Sequence, residues 1–342
     1  MEKHTTIAVD LSKTVFEIVV SEVAGRVCER RRLSRGQMVK FFANRPPSTV
    51  LLEACGSVHY WARVTESLGH EVLLLPPHQT RPYALRDKSD HADACALLEA
   101  HRNEKIIPVP VKTVGQQALA SLHRIRSGWL QTRTARLNAI RRILREFGLL
   151  IPVGPRQVLP ALRGFLSDSN QPVPAILERP LLALAADIQT IDNHIRDLER
   201  QLADTARHLP EADRLLSVPG IGLLTSTALI AFVGPLDRFR SGRRFASSLG
   251  IVPEEYSSGP RRYIGSITRR GDPYLRTLLI HGARSVLLAA ARTKHPDRLQ
   301  AWALRLKLRR GHNRAAVALA NKLARIAWAV SVHQSRYQSI AA

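Results

Sequence analysis

The sequence is poor in cysteine and has no cluster of metal-binding histidines. It contains only three cysteines, Cys28, Cys55 and Cys95, and no two of them form a CxxC pair. That number and spacing exclude a disulfide framework and favour a reducing compartment. The 13 histidines are not grouped at the spacing of zinc ligands. We therefore expect no structural zinc.

The chain also shows no long apolar run, and its first residues, MEKHTTIAVD, lack the apolar core of a signal peptide. Acidic residues are scarce as well: 28 Asp and Glu stand against 51 Lys and Arg, so the net charge is +23 and the isoelectric point is about 11.1. This excess predicts a polyanionic partner, and the missing apolar run favours nucleic acid over a membrane. The simpler alternative is a basic soluble protein without such a partner.

A length of 342 residues suits two domains with a helical insert between them. The first hundred residues predict three antiparallel strands, near residues 5–10, 15–20 and 26–33. Two further strands, near residues 49–53 and 71–75, alternate with helices. This order predicts an α/β fold of the ribonuclease-H-like type, and no GxGxxG follows the first strand to support a Rossmann sheet.

The remainder of the sequence predicts helices and polar loops. Residues 121–146 carry seven arginines, Arg133 and Arg141 among them, against one acid, which favours a phosphate-facing helix over an ordinary solvated one. Heptad spacing from Leu181 to Leu202 predicts a helix that pairs either with another helix of this chain or with a second copy. A second basic block, residues 261–310, has 13 Lys and Arg against two acids and predicts a nucleic-acid-binding half whose affinity falls steeply with salt.

Four acids are candidates for one metal site. Asp10 ends the first predicted strand, and Glu53 ends the fourth, which neighbours the first in a ribonuclease-H-like sheet. Asp90 and Asp93 are three residues apart at the start of a predicted helix and so share one face. Converging carboxylates bind hard divalent cations, which can assist phosphoryl transfer. The alternative is that the helix acids only complement the helix dipole.

Two segments of the C-terminal half predict contacts with phosphate. Pro-Gly-Ile-Gly, with Gly220 and Gly222, indicates a helix-hairpin-helix whose backbone N–H groups approach DNA, or else a plain packing turn. Further along, Ser257 and Ser258 lie in a polar loop rich in arginine, where a serine could attack phosphorus or merely bind phosphate. The arginines of this loop are Arg261, Arg262, Arg269, Arg270 and Arg276.

Six short motifs occur in an order that resembles one known family. They are IAVDLSK, LLEACGS, KSDHADA, SVPGIG, LGIVPEEYSSG and GSITRRGDPYLR. The chain resembles the DEDD-type transposases of bacterial insertion sequences, described as bridge-RNA-guided recombinases, and within them the eleven-eleven subgroup. The similarity covers roughly residues 5–330, and six motifs in order are far more specific than any one of them.

This resemblance implies a RuvC-like nuclease domain, a coiled-coil insert and a C-terminal helical transposase domain, which we expect at residues 1–150, 151–208 and 209–342. It implies that Asp10, Glu53, Asp90 and Asp93 are the DEDD residues and that Ser258 is the catalytic serine, with Ser257 as its competitor. It further implies Mg²⁺ (or Mn²⁺), donor and target DNA, a bridge RNA, dimers or tetramers, and a cytoplasmic, nucleoid-associated location in a bacterium. The one departure is Pro260, which replaces a glycine often found after the SSG sequence.

Three functions are compatible with these features. The first is a transposase that links serine covalently to DNA while it exchanges strands. The second is a metal-dependent endonuclease of the Holliday-junction type, in which the acids hydrolyse DNA and Ser258 only binds phosphate. The third, a nucleic-acid scaffold without catalysis, does not account for the paired acids.

Overall fold

The computed structural model describes residues 5–23, 26–84, 89–168, 170 and 172–340. The chain forms two compact units, Met1–Val114 and Gly115–Ala342. The helix that carries Arg133 and Arg141 therefore belongs to the second unit. Lys88, the first residue of the KSDHADA motif, lies outside the described residues.

The first unit is built on one five-stranded sheet flanked by helices. Its strands are β1 (Thr6–Leu11), β2 (Val15–Ser21), β3 (Glu29–Ser34), β4 (Thr49–Glu53) and β5 (Glu71–Leu75). Its helices are α1 (Arg35–Ala43), α2 (Val58–Ser67), α3 (Pro77–Thr80) and α4 (Asp90–His101). The strand order is β3-β2-β1-β4-β5, with β1 antiparallel to β2 and parallel to β4. This is the mixed sheet that the sequence predicts.

The central strand β1 is buried on both faces, which explains its unbroken apolar sequence. Ile7 and Val9 face one side, where they pack with residues of β4, α1 and α2. Ala8 faces the other side and packs with Ala94 and Leu97 of α4. Helix α4 is thereby held against the sheet, with its first turn near the ends of β1 and β4.

The second unit is mainly helical. Its helices are α5 (Val114–Glu146), α6 (Val158–Ser167), α7 (Ala175–Arg207), α8 (Pro210–Leu216), α9 (Leu223–Phe232), α10 (Gly242–Ser248), α11 (Pro273–Ala290), α12 (Arg298–Arg310) and α13 (His312–Val332). It also contains a small antiparallel hairpin of β6 (Pro253–Glu255) and β7 (Ile264–Ile267). This hairpin corrects the sequence-based expectation of a polar loop between helices. Strands of three and four residues are too short to leave a readable alternation.

The heptad seam of α7 packs on α5 of the same chain. Leu181 and Ile188 share one buried cluster with Leu137 and Ile140 of α5. Ion pairs run alongside: Arg126–Glu199 at 2.7 Å, Arg133–Asp192 at 2.6 Å and Arg136–Asp187 at 3.3 Å. Residue numbers rise along α5 while those of its partners fall along α7, so the two helices are antiparallel. Of the two pairings that the sequence left open, the structure shows the one within the chain.

Helix α13 corrects the statement that the chain has no long apolar segment. It is 21 residues long, an 18-residue window of it has a mean hydropathy of 1.3, and it is the one helix of the described chain whose length and composition would allow it to cross a membrane. Apolar residues of this helix pack inside the protein: Ala316, Leu319 and Leu323 are fully buried. They pack in the same core as residues of α10, α11 and α12. A buried core helix accounts for its composition.

Candidate active site

Asp10 and Glu53 lie side by side at the ends of two parallel strands. In the register of β1 with β4, Val9 is opposite Leu52, and the acids follow directly after these two buried residues. Both are half-buried. Neighbouring strands are about 4.8 Å apart, so the two side chains leave the same edge of the sheet.

Helix α4 adds two more acids at this edge. Ser89 caps the helix by accepting a hydrogen bond from the backbone N–H of Ala92 at 3.2 Å. The helix consequently starts at Asp90, with Asp93 one turn further on the same side. Asp90 is exposed and Asp93 is half-buried.

The electrostatics show that these acids form one group. The pKa of Asp10 is raised from 3.8 to about 6, first by burial and then by the negative charges of Asp93, Asp90, Glu53 and Glu17. Burial and Asp93 also raise the pKa of Glu53, while Arg81 acts in the opposite direction. A shared negative potential of this kind favours the binding of a cation.

Glu17 is a fifth acid, which the sequence analysis missed. It is the partner of Asp10 in the β1–β2 register, and its side chain is only 1% exposed. It pairs with Arg30, with Arg32 at 3.7 Å and with His91 of α4 at 3.8 Å. An acid in the middle of the apolar sequence VFEIVV is the signal that could have revealed it. Its partners give it a role in joining β2, β3 and α4.

The candidate serines occupy the tip of the β6–β7 hairpin. Ser258 and Arg261 exchange backbone hydrogen bonds of 3.2 and 3.3 Å, which close a tight turn over Gly259 and Pro260. All four residues are exposed. The turn forms with Pro260 in place, so this departure from the family pattern does not prevent a regular hairpin.

The two serines differ in their contacts. The hydroxyl of Ser257 donates a hydrogen bond of 2.8 Å to Glu255, and that carboxylate also pairs with Arg262 at 3.0 Å. Both contacts hold the pKa of Glu255 below its usual value, so it is a weak base. The hydroxyl of Ser258 has no hydrogen-bond partner among the described residues. Of the two serines, Ser258 is therefore the one whose hydroxyl oxygen is available to contact a phosphate.

The arginines around the hairpin fall into two groups. Arg276 donates to the carbonyl oxygens of Leu249 and Gly271, and Arg262 is engaged with Glu255. Arg261, Arg269 and Arg270 are exposed, and within the described ranges they form no ion pair. These last three are available to phosphate.

Comparison with known proteins agrees with both halves of this description. A family model of DEDD transposases of the IS110 type matches residues 7–148, and the model described as "Transposase IS116/IS110/IS902 family" matches residues 212–303. A "Probable family 20 transposase" of Pseudomonas aeruginosa is 42% identical over 97% of this chain and 98% of its own length. The transposase for insertion sequence element IS1111A of Coxiella burnetii is 36% identical over 99% of this chain and 92% of its own length. The transposase for element IS1328 of Yersinia enterocolitica is 35% identical over 97% and 98%.

The chain belongs to the IS110/IS116/IS902 family of transposases. It is accordingly an enzyme of DNA transposition, and the match to the DEDD transposase model covers the first unit from residue 7 and continues through helix α5. The similarity to the IS1111A transposase agrees with the eleven-eleven assignment.

In this transposase, two arginines predicted to bind nucleic acid contact other residues of the protein. Arg141 donates to the carbonyl oxygens of Ile151, Pro152 and Gly154, and Arg133 pairs with Asp192. These contacts explain both arginines without a phosphate, and their binding to nucleic acid stays a prediction.

The two glycines of the SVPGIG motif differ in their surroundings: Gly220 is required for packing, and Gly222 is not. A side chain on Gly220 would lie 2.8 Å from the carbonyl oxygen of Gly282 in α11, so a close approach of two backbones requires glycine there. Gly222 precedes α9, is exposed and has open space around it. Of the two, Gly222 has the geometry that a phosphate contact needs.

The acids of the transposase suit a divalent cation by their chemistry. All are carboxylates, the ligands that hard cations prefer, and the raised pKa of Asp10 reports negative charge that a cation would offset. Among the described side chains, however, no three His, Cys, Asp or Glu residues already stand at metal-ligand spacing. Binding would therefore require the carboxylates to move closer together.

Asp10→Asn is expected to stabilise the metal-free transposase. Because the pKa of Asp10 is about 6 in the folded state against an ordinary 3.8, its ionisation disfavours folding. This cost is absent below about pH 4, grows between pH 4 and 6, and is complete above pH 6. For a half-exposed group we expect a gain of about 1 kcal/mol for the variant at pH 7.5 in EDTA, measured by denaturant unfolding.

The control is Glu104→Gln, which removes one exposed acid of the same unit and should leave the free energy of unfolding unchanged. Mg²⁺ should stabilise the wild type, because it binds the folded state, and should stabilise Asp10→Asn much less. Equal stability of wild type and Asp10→Asn in EDTA, with equal response to Mg²⁺, would contradict a shared acidic site.

Proposed function

We propose that this transposase cuts and rejoins donor and target DNA through a covalent link between Ser258 and DNA. A divalent ion, Mg²⁺ or Mn²⁺, would assist this reaction, and its ligands would be Asp10, Glu53, Asp90 and Asp93. The observation that carries the proposal is the gathering of these acids at one sheet edge, where their charges raise the pKa of Asp10. The free hydroxyl of Ser258, across the tight turn from the unpaired Arg261, supports the role of the serine. Covalent chemistry requires that the second unit present this hairpin to the acids.

The covalent step is an exchange of one phosphate ester for another. The Ser258 Oγ forms a bond to phosphorus while the bond from phosphorus to the leaving deoxyribose oxygen breaks. The serine gives up its proton, and the leaving oxygen takes up a proton to become a hydroxyl, so neither oxidation nor hydrolysis is involved. When a divalent ion is bound, it supplies Lewis-acid stabilisation of the charge on the phosphate oxygens.

The residues of the protein have distinct parts in this step. Arg261, across the turn from Ser258, would stabilise the developing negative charge and orient the phosphate. Arg269 and Arg270, at the base of the hairpin, would bind phosphates further along the DNA backbone. The hairpin turn holds Ser258 outward. The serine ester conserves the energy of the broken phosphodiester, so a hydroxyl of the other DNA can later displace the serine and restore the chain. An enzyme that exchanges strands needs such a carrier.

The remaining parts of the proposal concern partners and organisation. We propose that an element-encoded bridge RNA pairs with both DNA molecules, which the net charge of +23 supports. We also propose that residues 151–208, which contain α7, form the coiled-coil insert between functional regions at residues 1–150 and 209–342. We propose further that the protein works as a dimer or tetramer in the bacterial cytoplasm at the nucleoid.

The alternative is a junction endonuclease that uses the acids alone. It is favoured by one observation: the hydroxyl of Ser258 has no described base beside it to take its proton. In that case Ser258 would contact phosphate without attacking it.

A supercoiled plasmid that carries the ends of the cognate element separates these functions. Incubated with the protein, its RNA and Mg²⁺, it should yield joined products if the proposal is right. Nicked or linear products without joining would support the endonuclease. Binding without any cleavage, under conditions where the protein is folded, would contradict both.

A further inference from the structure

A large groove in the second unit has no part in the proposed chemistry. It has a volume of about 1550 Å³ and lies between the β6–β7 hairpin and helices α10, α12 and α13. Typical small-molecule pockets measure about 300–1,000 Å³, so the groove is large enough for a segment of a polymer. One of its walls is β7, which belongs to the same hairpin as Ser258.

The groove is lined by cations without acidic partners. Arg243, Arg314, Lys322 and Arg325 all border it, and no Asp or Glu is among the described residues of its lining. In the part of the chain that the structure describes, none of the four forms an ion pair. The pKa of Lys322 is lowered by burial and by its neighbours Arg298 and Arg325. Positive charge held this close together is stabilised when an anion enters.

The lining of the groove also contains apolar and aromatic side chains. Trp302 lies half-buried, with the ammonium group of Lys322 over its ring at 4.4 Å. Tyr263, directly before β7, and Ile264, the first residue of β7, are 66% and 52% exposed, although both are large apolar side chains. Flat aromatic surfaces beside unpaired cations are the combination that binds unstacked bases together with their phosphates.

We infer that this groove binds a single-stranded nucleic-acid segment, with one or more unpaired bases on Trp302 and Tyr263 and the phosphates at Arg243, Arg314, Lys322 and Arg325. The inference rests on the proposed function only in that the protein acts on nucleic acid, and it does not depend on Ser258 as nucleophile. DNA and RNA share the required chemistry.

A duplex fits these observations less well. Its bases are stacked inside and its outside offers mainly phosphates, so the apolar and aromatic side chains of the groove would have no base to contact. An acidic helix of another protein would satisfy the cations, but it offers few flat rings to stack on exposed aromatic side chains. The groove is also continuous with the hairpin that carries the candidate nucleophile, where strands must be separated before they are exchanged.

The test compares affinities of the purified full chain for a fluorescent 12-nucleotide oligo-dT, the matching oligo-rU and a 12-base-pair duplex. Trp302→Leu should weaken binding of the single strands about tenfold, because base stacking on an aromatic ring is lost. Arg314→Gln combined with Lys322→Gln should weaken it by a similar factor and lower the slope of log affinity against log salt by about 1.4, the value for two phosphates on a single strand. Duplex affinity should change less than threefold.

Matched controls lie on the same unit. Trp129→Leu removes a tryptophan that stacks on His194 outside the groove, and Arg309→Gln removes an exposed cation of α12 outside it. Both should leave single-strand affinity within threefold of wild type. Thermal unfolding verifies that each variant is folded.

Crosslinking identifies the binding site directly. An oligonucleotide with 5-iodouracil should crosslink to peptides that contain Tyr263 or Trp302, and Ser258→Ala should crosslink equally well even if it has lost all strand exchange. The inference is overturned if duplex and single strands lose affinity equally in the groove variants, or if these variants bind and crosslink as the wild type does. A preference between oligo-dT and oligo-rU then assigns the strand to DNA or RNA.

Discussion

Ser258→Ala is expected to lower strand exchange by more than about a thousandfold while folding and nucleic-acid binding stay intact. Removal of an attacking oxygen leaves no atom to form the ester, and losses of this size or larger follow when a nucleophile is deleted. The side chain is exposed and its hydroxyl has no described partner, so alanine costs no internal contact. The measurement is the rate at which a plasmid with element ends yields joined products.

Ser257→Ala is the matched control, because it removes the neighbouring hydroxyl and its hydrogen bond to Glu255. We expect it to retain most activity, and Glu255→Gln should behave in the same way. If Ser257→Ala is inactive and Ser258→Ala is active, Ser257 is the nucleophile. If the double variant Ser257→Ala with Ser258→Ala retains full exchange, neither serine carries the DNA.

Gly282→Ala is expected to destabilise the protein by about 3 kcal/mol or more. A methyl group at this position would lie 1.9 Å from the carbonyl oxygen of Gly220, and the obstacle is backbone, which cannot rotate away. Helix α11 would have to separate from the turn before α9, at the upper end of the cost of overpacking. The measurement is the midpoint of chemical denaturation.

Gly128→Ala provides the opposite control within the same unit. Gly128 lies in the middle of α5 with no atom near its missing side chain, so alanine should stabilise the helix by up to about 1 kcal/mol. An unchanged midpoint for Gly282→Ala would show that α11 and the SVPGIG turn do not pack as described.

Much of the first unit could be predicted from the sequence because its signals are local. Strands such as IAVD and TVLLE are short apolar runs with an acid at the end, and the order of strands and helices defines the sheet. The start of α4 at Asp90 follows from Ser89 as its cap. The gathering of Asp10, Glu53, Asp90 and Asp93 is a consequence of that topology.

Other features depend on contacts between distant residues and were not predictable. The sequence predicts that Arg133 and Arg141 bind nucleic acid but does not reveal their contacts inside the protein, with Asp192 and with the loop after α5. Glu17 is buried beside Asp10 only because the register of β1 and β2 brings them together. The groove of the second unit combines Trp302 with β7, nearly forty residues earlier, so no local pattern indicates it.

The most direct test of the account is a denaturing gel of the protein incubated with end-labelled DNA, its RNA and Mg²⁺. The account predicts that label migrates with the wild-type protein, that the adduct disappears in Ser258→Ala and persists in Ser257→Ala, and that EDTA or Asp10→Ala also prevents it by removing the metal ion. If strands are exchanged under these conditions and no label is ever attached to protein, the covalent serine mechanism is wrong.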